Sequence, residues 1–112
     1  YTLLVVATGS QIQAGNGTVT AVSGDSAFGT GVWNMINVSY NGANTNFFVN
    51  GISVGTPAMT TNPDPQNVPL FIGNRSADDR GFDGRLQHLF IVKDRAMVYS
   101  EFRKLAHKAG FI

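Results

Sequence analysis

The sequence predicts an all-β protein: an antiparallel β-sandwich with one short C-terminal helix. Three observations carry that prediction. Thirteen glycines and four prolines punctuate the chain at short intervals, and the runs between them are rich in Thr, Val, Phe and Asn, which favour strands. Asn50-Gly51 separates two apolar runs, Phe48-Val49 and Ile52-Ser53-Val54. A helical period appears near the C-terminus, at Ser100–Lys108.

Taken in order, strands are expected near Thr2–Thr8, Thr18–Val22, Val32–Tyr40, Asn46–Asn50, Ile52–Gly55, Leu70–Gly73 and Gly84–Val92, with a further short one at Gln11–Gln13. Within Val32–Tyr40, alternation puts Val32, Ile36, Val38 and Tyr40 on one face, with Trp33, Met35, Asn37 and Ser39 on the other. Asn50-Gly51 suits a type I′ hairpin, because both central residues of that turn need positive φ and these two residues tolerate it best. Thr56 to Pro69 holds every proline of the chain and reads as a long surface loop, since proline has no amide to donate to a ladder. In the helix, Ser100 is the expected N-cap and Glu101 suits the positive end. Phe102, Leu105, Ala106 and Ala109 share one face, and Gly110 is placed to end the helix in the left-handed conformation. Trp33, Ile36, Val38, Phe71, Leu86 and Phe90 are the expected core.

Composition narrows the function classes. A chain of 112 residues is one domain at most, and 43% hydrophobic against 13% charged residues describes a globular chain. The formal net charge of +1 predicts no strong attraction to nucleic acid or to an anionic membrane. The bases that crowd toward the C-terminus, Lys93, Arg95, Arg103, Lys104 and Lys108, read as helix solubility and dipole matching. Without cysteine the chain has no disulfide, no thiolate metal site and no cysteine nucleophile. No apolar run approaches the ~20 residues of a membrane-spanning helix, so no membrane insertion is expected.

The densest polar cluster is Asn74-Arg75-Ser76-Ala77-Asp78-Asp79-Arg80. Asn74, Arg75, Asp78, Asp79 and Arg80 are the candidate ligand- or partner-binding residues. The arginines offer planar donor forks to a glycan or a protein surface, and the paired aspartates offer oxygen ligands for Ca²⁺. The plain alternative is a hydrated turn whose charges neutralise one another. His88 and His107 lack any partner pattern, and neither a metal site nor a catalytic residue is assigned. Asn16, Asn37 and Asn74 each begin an N-glycosylation triplet, though Asn37 falls in mid-strand.

Two blocks resemble a known family. Trp33 through Gly42, running into Phe47-Phe48-Val49-Asn50-Gly51, is similar to the Trp-led strand, polar-Gly turn and aromatic-x-Val-Asn-Gly hairpin of laminin-G-like and pentraxin-like domains. Pro69 through Ser76, Phe82-Asp83-Gly84-Arg85-Leu86, Lys93 through Met97 and Ser100-Glu101-Phe102 resemble the end of a laminin-G-like domain. The resemblance covers about residues 30–108 and implies a concanavalin A-like jelly roll. It departs from the family at Gln87-His88, where an acidic residue often stands, and at Asn41, where Asp is common. Both changes remove carboxylates from an inherited calcium site, so no cofactor is assigned and Ca²⁺ is left as an open alternative.

Such domains are longer, so the resemblance implies that residues 1–112 form one domain lacking N-terminal strands present in a longer parent chain. The start at Tyr1, inside a strand and without Met, fits a processed product, a proteolytic core or an incompletely traced longer protein. An apolar Gly84–Val92 strand would then take its second neighbour from outside these residues, through a homo-oligomer or additional strands of a longer chain. Family members that cleave β-glucans carry alternating carboxylates on one strand. No predicted strand here carries two acids, and no enzymatic activity is expected. The function implied is a non-catalytic module for glycan or protein binding on an extracellular or particle-surface protein. The alternatives are a structural or assembly domain of a virion or appendage, and a fragment of a glycoside hydrolase.

Overall fold

A computed structural model describes residues 2–6, 11–15, 20–24, 26–58, 72–73, 81–92 and 95–112. Among these are six strands and one helix: β1 (Thr2–Val6), β2 (Gln11–Gly15), β3 (Thr20–Val22), β4 (Ile36–Tyr40), β5 (Thr45–Val49), β6 (Ile52–Gly55) and α1 (Tyr99–Lys108). They make two antiparallel sheets, β1-β2-β3 and β4-β5-β6, each a meander in chain order. This is the antiparallel β-sandwich with a C-terminal helix that the sequence predicts.

The two sheets meet through small and apolar side chains. Ile12, Ala14 and Ala21 of the first sheet pack with Phe47 and Val49 of the second, and all five are buried. Ile36, Val38 and Tyr40 lie against this cluster, as the alternation along β4 predicts. Phe48 points the other way. It is covered by α1, with ring centroids 4.7 Å from Phe102 and 5.7 Å from Tyr99. The central strand β5 is therefore buried on both faces, by a sheet on one side and a helix on the other. Burying a Phe or Val side chain is worth about 1.5–3 kcal/mol, so β5 is the energetic centre of the described structure.

One polar tie closes the first sheet and a second joins the two sheets. The buried Ser23 hydroxyl accepts the Ile12 N–H at 2.8 Å, and the Gly24 N–H donates to the Val54 carbonyl at 2.8 Å, bridging the end of β3 to β6. On the outer face of β4, the Ser39 hydroxyl donates to the Met97 carbonyl at 2.9 Å and anchors the segment that enters α1.

The β5–β6 turn takes the expected form: Asn50 and Gly51 have φ of 52° and 78°, both in the left-handed region of a type I′ turn. Gly51 is required twice over, because a Cβ there would sit 2.7 Å from the Ala106 Cβ of α1.

The helix differs from expectation at its start. It begins at Tyr99, so Ser100 is its second residue and cannot cap it; Val98 is the N-cap. Glu101 thereby falls at the third helical position, where its Oε2 accepts the Val98 N–H at 2.8 Å. Valine has no side-chain acceptor to complete a capping box, so the reciprocal half is missing. The C-terminus follows expectation. Gly110 has φ of 85°, its N–H donates to the His107 carbonyl at 3.2 Å, and the Phe111 N–H donates to the Ala106 carbonyl at 2.9 Å, which is a Schellman motif. Phe102 and Ala106 are buried and Leu105 partly so, whereas Ala109 is exposed.

Three other expectations are corrected. Trp33 is not core: β4 begins at Ile36, so Trp33 lies on the preceding loop, 55% exposed, and strand alternation does not govern it. Gly84–Val92 is not a strand. Its residues enter no described ladder, and His88 interrupts it with φ of 56°. Leu86 and Phe90, expected in the core, are 59% and 56% exposed because nothing covers that segment among the described residues. Of the expected Leu70–Gly73 strand, Ile72 and Gly73 form a bend, while Leu70 and Phe71 lie outside the described residues.

Candidate functional site

The loop Ser26–Met35 folds back over the β5–β6 hairpin, and amide side chains hold it there. The Asn50 Oδ1 accepts the Met35 N–H at 2.8 Å, and the Asn50 N–H donates to the Met35 carbonyl at 2.9 Å. Asn34 locks the loop onto itself: its Nδ2 donates to the Gly29 carbonyl at 2.7 Å and to the Val32 carbonyl at 3.2 Å. Asn34 and Asn50 meet at 3.5 Å, Nδ2 of Asn50 toward Oδ1 of Asn34. Asn50 thus has two roles, since the residue that supplies positive φ to the hairpin also anchors the loop with its side chain.

Between loop and hairpin runs a shallow groove of about 350 Å³, lined by Phe28, Gly29, Asn34, Asn50, Ile52 and Val54 among others. Phe28 packs against the sandwich core from the groove wall. Trp33, next to Asn34 in the chain, presents about half its surface to solvent and is not among the residues that line the groove. An exposed indole on a loop pinned by amide hydrogen bonds can stack on one side of a flat ligand. Among the described residues, none that lines the groove is acidic.

Sequence reasoning missed this site because it assigned Trp33 to the core. The signal that could have found it is Asn34, the polar break in the alternation just before β4. Such a break marks the point where the strand has not yet begun.

The expected binding residues Asn74, Arg75, Asp78, Asp79 and Arg80 lie outside the described residues, so the structure brings none of them into the groove. The residues flanking them are described: the Phe82 N–H donates to the Gly73 carbonyl at 2.7 Å, and Gly73 has φ of 81°. Asn41, the position of interest for calcium, spends its Oδ1 on the Ala43 and Asn44 N–H groups at 3.0 and 2.8 Å. It shapes the β4–β5 turn. Among the described residues, no three His, Asp or Glu side chains cluster as a metal site.

Of the glycosylation triplets, Asn37 is described. It is half-buried on β4, its Oδ1 is enclosed without a hydrogen-bond partner, and Ser39 two residues on is buried. Asn16 and Asn74 lie outside the described residues.

Among the described residues, charge is concentrated on α1. Glu101 sits below the ordinary carboxylate range, first because the Val98 N–H donates to it and next because Arg95 does, with Nη1 to Oε1 at 2.6 Å. Arg103, Lys104, His107 and Lys108 line an open concavity beside Ile112. His107 and Lys108 fall in the last turn, where the helix carbonyls favour cations. Among the described residues, no helix is long and apolar enough to cross a membrane.

Comparison with known proteins agrees with this architecture. No curated protein matches the chain. A crystal structure of an S-layer domain-containing protein from Clostridium thermocellum ATCC 27405, covering residues 221–444 of that protein, is 25% identical and superposes with a TM-score of 0.59. The match covers 87% of this chain and 52% of that one, so the chain spans about half the length of the structure it resembles. A family model of laminin-G type, described as the concanavalin A-like lectin/glucanases superfamily, matches residues 4–99. That span takes in both sheets and the loop that carries Trp33, and the chain belongs to the concanavalin A-like lectin/glucanases superfamily.

Proposed function

We propose that this chain is a non-catalytic concanavalin A-like module that binds glycan on an extracellular or particle-surface protein. The observation that carries the reading is Trp33, half-exposed on a loop that hydrogen bonds of Asn34 and Asn50 pin to the β5–β6 hairpin, next to a groove with no acid among its described lining residues. A sugar ring presents apolar C–H faces to stack and hydroxyls to bond, and a fixed indole next to ordered amides suits both. The likeness to an S-layer domain-containing protein supports a surface location. No acid stands among the described residues of the groove, which supports a role without hydrolysis, since glycoside cleavage ordinarily needs two carboxylates. Asn74, Arg75, Asp78, Asp79 and Arg80 are proposed as a second, polar contact surface for the same partner.

The test is a glycan array followed by tryptophan fluorescence titration with whichever glycan binds. Trp33→Ala should abolish binding with little change in melting temperature, and Arg75→Ala with Arg80→Ala should weaken it. An array without hits, or a Trp33→Ala variant that binds as well as the wild type, would overturn the glycan reading.

A second reading, assembly of a surface layer, virion or appendage, is favoured by a different observation: the apolar segment 81–92 lies uncovered. Under that reading the sheet is completed by copies of the chain or by further strands.

A further inference from the structure

The Asn50-Gly51 turn stands between two hollows. On one side is the groove under the Ser26–Met35 loop, to which Asn50 and Ile52 both contribute. On the other is the open concavity of about 410 Å³ lined by Arg103, Lys104, His107, Lys108 and Ile112. Gly51 alone separates them. A Cβ built on it would lie 3.4 Å from the Ile112 Cδ1 and 3.6 Å from the Arg103 Cα. Ile52 and Ile112 are 55% and 42% exposed, so each hollow shows the turn an open apolar edge.

The second hollow is strongly basic. Arg103, Lys104, His107 and Lys108 share one exposed face of α1, opposite the buried Phe102 and Ala106. Matching the helix dipole accounts for His107 and Lys108, which fall in the last turn. It does not account for Arg103 and Lys104, which lie in mid-helix. Lys104 and Lys108 are four residues apart, a spacing at which like charges repel. Glu101, the acid of α1, does not relieve them: its carboxylate is engaged by the Val98 N–H and by Arg95. The described lining of the hollow includes no acid. Arg103 is steadied over the Tyr99 ring, 6.0 Å from its centroid.

These features restrict the ligand. A nucleic-acid duplex or an anionic membrane needs charge spread over a wide face, and the chain carries a net charge of +1. A hollow of this size takes one small anionic group. The adjoining groove offers apolar edges and no charge among its described lining residues. A ligand that suits both has apolar ring faces at one end and an anion at the other, which describes a sugar acid or a sulfated sugar.

We infer that the glycan bound by this module is acidic: its rings occupy the groove beside Asn50 and Ile52, and a carboxylate or sulfate on a neighbouring ring reaches across the turn to Arg103, Lys104 and Lys108. This rests on the glycan reading and names the chemical class of the ligand. The arginine supplies a planar donor fork and the lysines supply point charges.

The test is a glycan array carrying neutral, uronate-bearing and sulfated glycans, probed at low and high salt. The best acidic hit is then titrated beside its uncharged counterpart, carboxyl-reduced or desulfated, and which of the two it is identifies the anion. Acidic glycans should dominate the hits, and salt should weaken them more than neutral ones. Lys104→Gln with Lys108→Gln should lower affinity for the acidic glycan about tenfold, the scale of two surface charge pairs, and leave the uncharged form unaffected. The melting temperature should stay within a few degrees, since both lysines are exposed. Ile52→Glu puts a carboxylate beside the turn and should weaken the acidic form more than the uncharged one.

Neutral hits alone, equal affinity for the charged and uncharged forms, or an affinity that the glutamines leave unchanged would overturn the inference while the glycan reading stands. A poly-glutamate peptide that binds as tightly as the acidic glycan would also overturn it, because the basic face would then select charge without regard to sugar. An array without hits would overturn both.

Discussion

The hairpin strands β5–β6 and the segment 81–92 are built from the same kind of residues and meet opposite fates. Phe47, Phe48 and Val49 are buried, with a sheet on one side and a helix on the other; Leu89, Phe90, Ile91 and Val92 are exposed on both sides. Apolarity does not separate them. What separates them is a neighbour guaranteed by local chemistry. Asn50-Gly51 turns the chain with two left-handed residues and delivers β6 to the edge of β5 two residues later. Among the described residues no such turn adjoins segment 81–92, and its single left-handed residue, His88, breaks the run instead of reversing it. A strand-like sequence becomes a strand when its ladder is satisfied, and remains a segment in want of one otherwise.

The comparison can be broken most decisively at Phe47. Phe47→Ala removes a fully buried ring between the sheets and should cost about 3–5 kcal/mol. Leu89→Ala, measured by urea denaturation at high dilution, should stay within about 0.5 kcal/mol. Similar losses in the two variants would mean that segment 81–92 is buried after all. Trp33→Ala belongs with Leu89→Ala, because the indole is on a loop in solvent.

Gly51 sharpens the contrast next. Alanine there meets both a left-handed φ and the Ala106 Cβ, and a cost of about 2–4 kcal/mol is expected, strain and overpacking combined. Gly42 shares the positive φ, at 95°, but faces open space, so Gly42→Ala should cost about 1 kcal/mol. Equal melting temperatures for the two variants would show that α1 does not rest on the hairpin.

A smaller effect is expected at Ser23. Ser23→Ala leaves the buried Ile12 N–H without its acceptor and should lower stability by about 1–3 kcal/mol. Hydrogen exchange at the Ile12 amide should accelerate in the variant, and an unchanged rate would place that bond outside the stabilising set.

The smallest effect is electrostatic. Glu101 is held below its ordinary value by the Val98 N–H and by Arg95, so its contribution is fully present above the unfolded carboxylate pKa and is lost as pH falls through the lower folded value. The melting-temperature gap between wild type and Glu101→Gln should be open at neutral pH and close on acidification. A gap that persists at low pH would contradict the helix-cap role. The carboxylate is partly open to solvent and its Arg95 partner is exposed, so the whole effect is modest.

Much of the fold could be read from the chain itself, for identifiable reasons. The hairpin was legible because type I′ geometry admits few residue pairs. The end of the helix was legible because Gly110 relieves a local steric conflict. The inward face of β4 was legible because a strand's side chains alternate. Each is decided within a few residues of sequence. The candidate groove was not legible, although its residues were in view. Asn34, Asn50 and Met35 are brought together by a contact across fifteen or more positions, and the indole of Trp33 is exposed because β4 starts at Ile36. The helix start illustrates the same limit: Ser100 is the better capping residue by chemistry, yet the anchor from Ser39 to Met97 and the stacking of Tyr99 on Phe48 accompany a cap two residues earlier, at Val98.

The sequence alone, then, determined which segments are strand-like, where the backbone must take positive φ, and that the chain belongs with all-β sandwiches. Those properties follow from backbone sterics and side-chain alternation, which act over short range. Tertiary structure decided which apolar segments are buried, which aromatic faces solvent, and which edge is left open. Burial depends on what another part of the chain, or another chain, brings alongside, and no residue carries that information within itself.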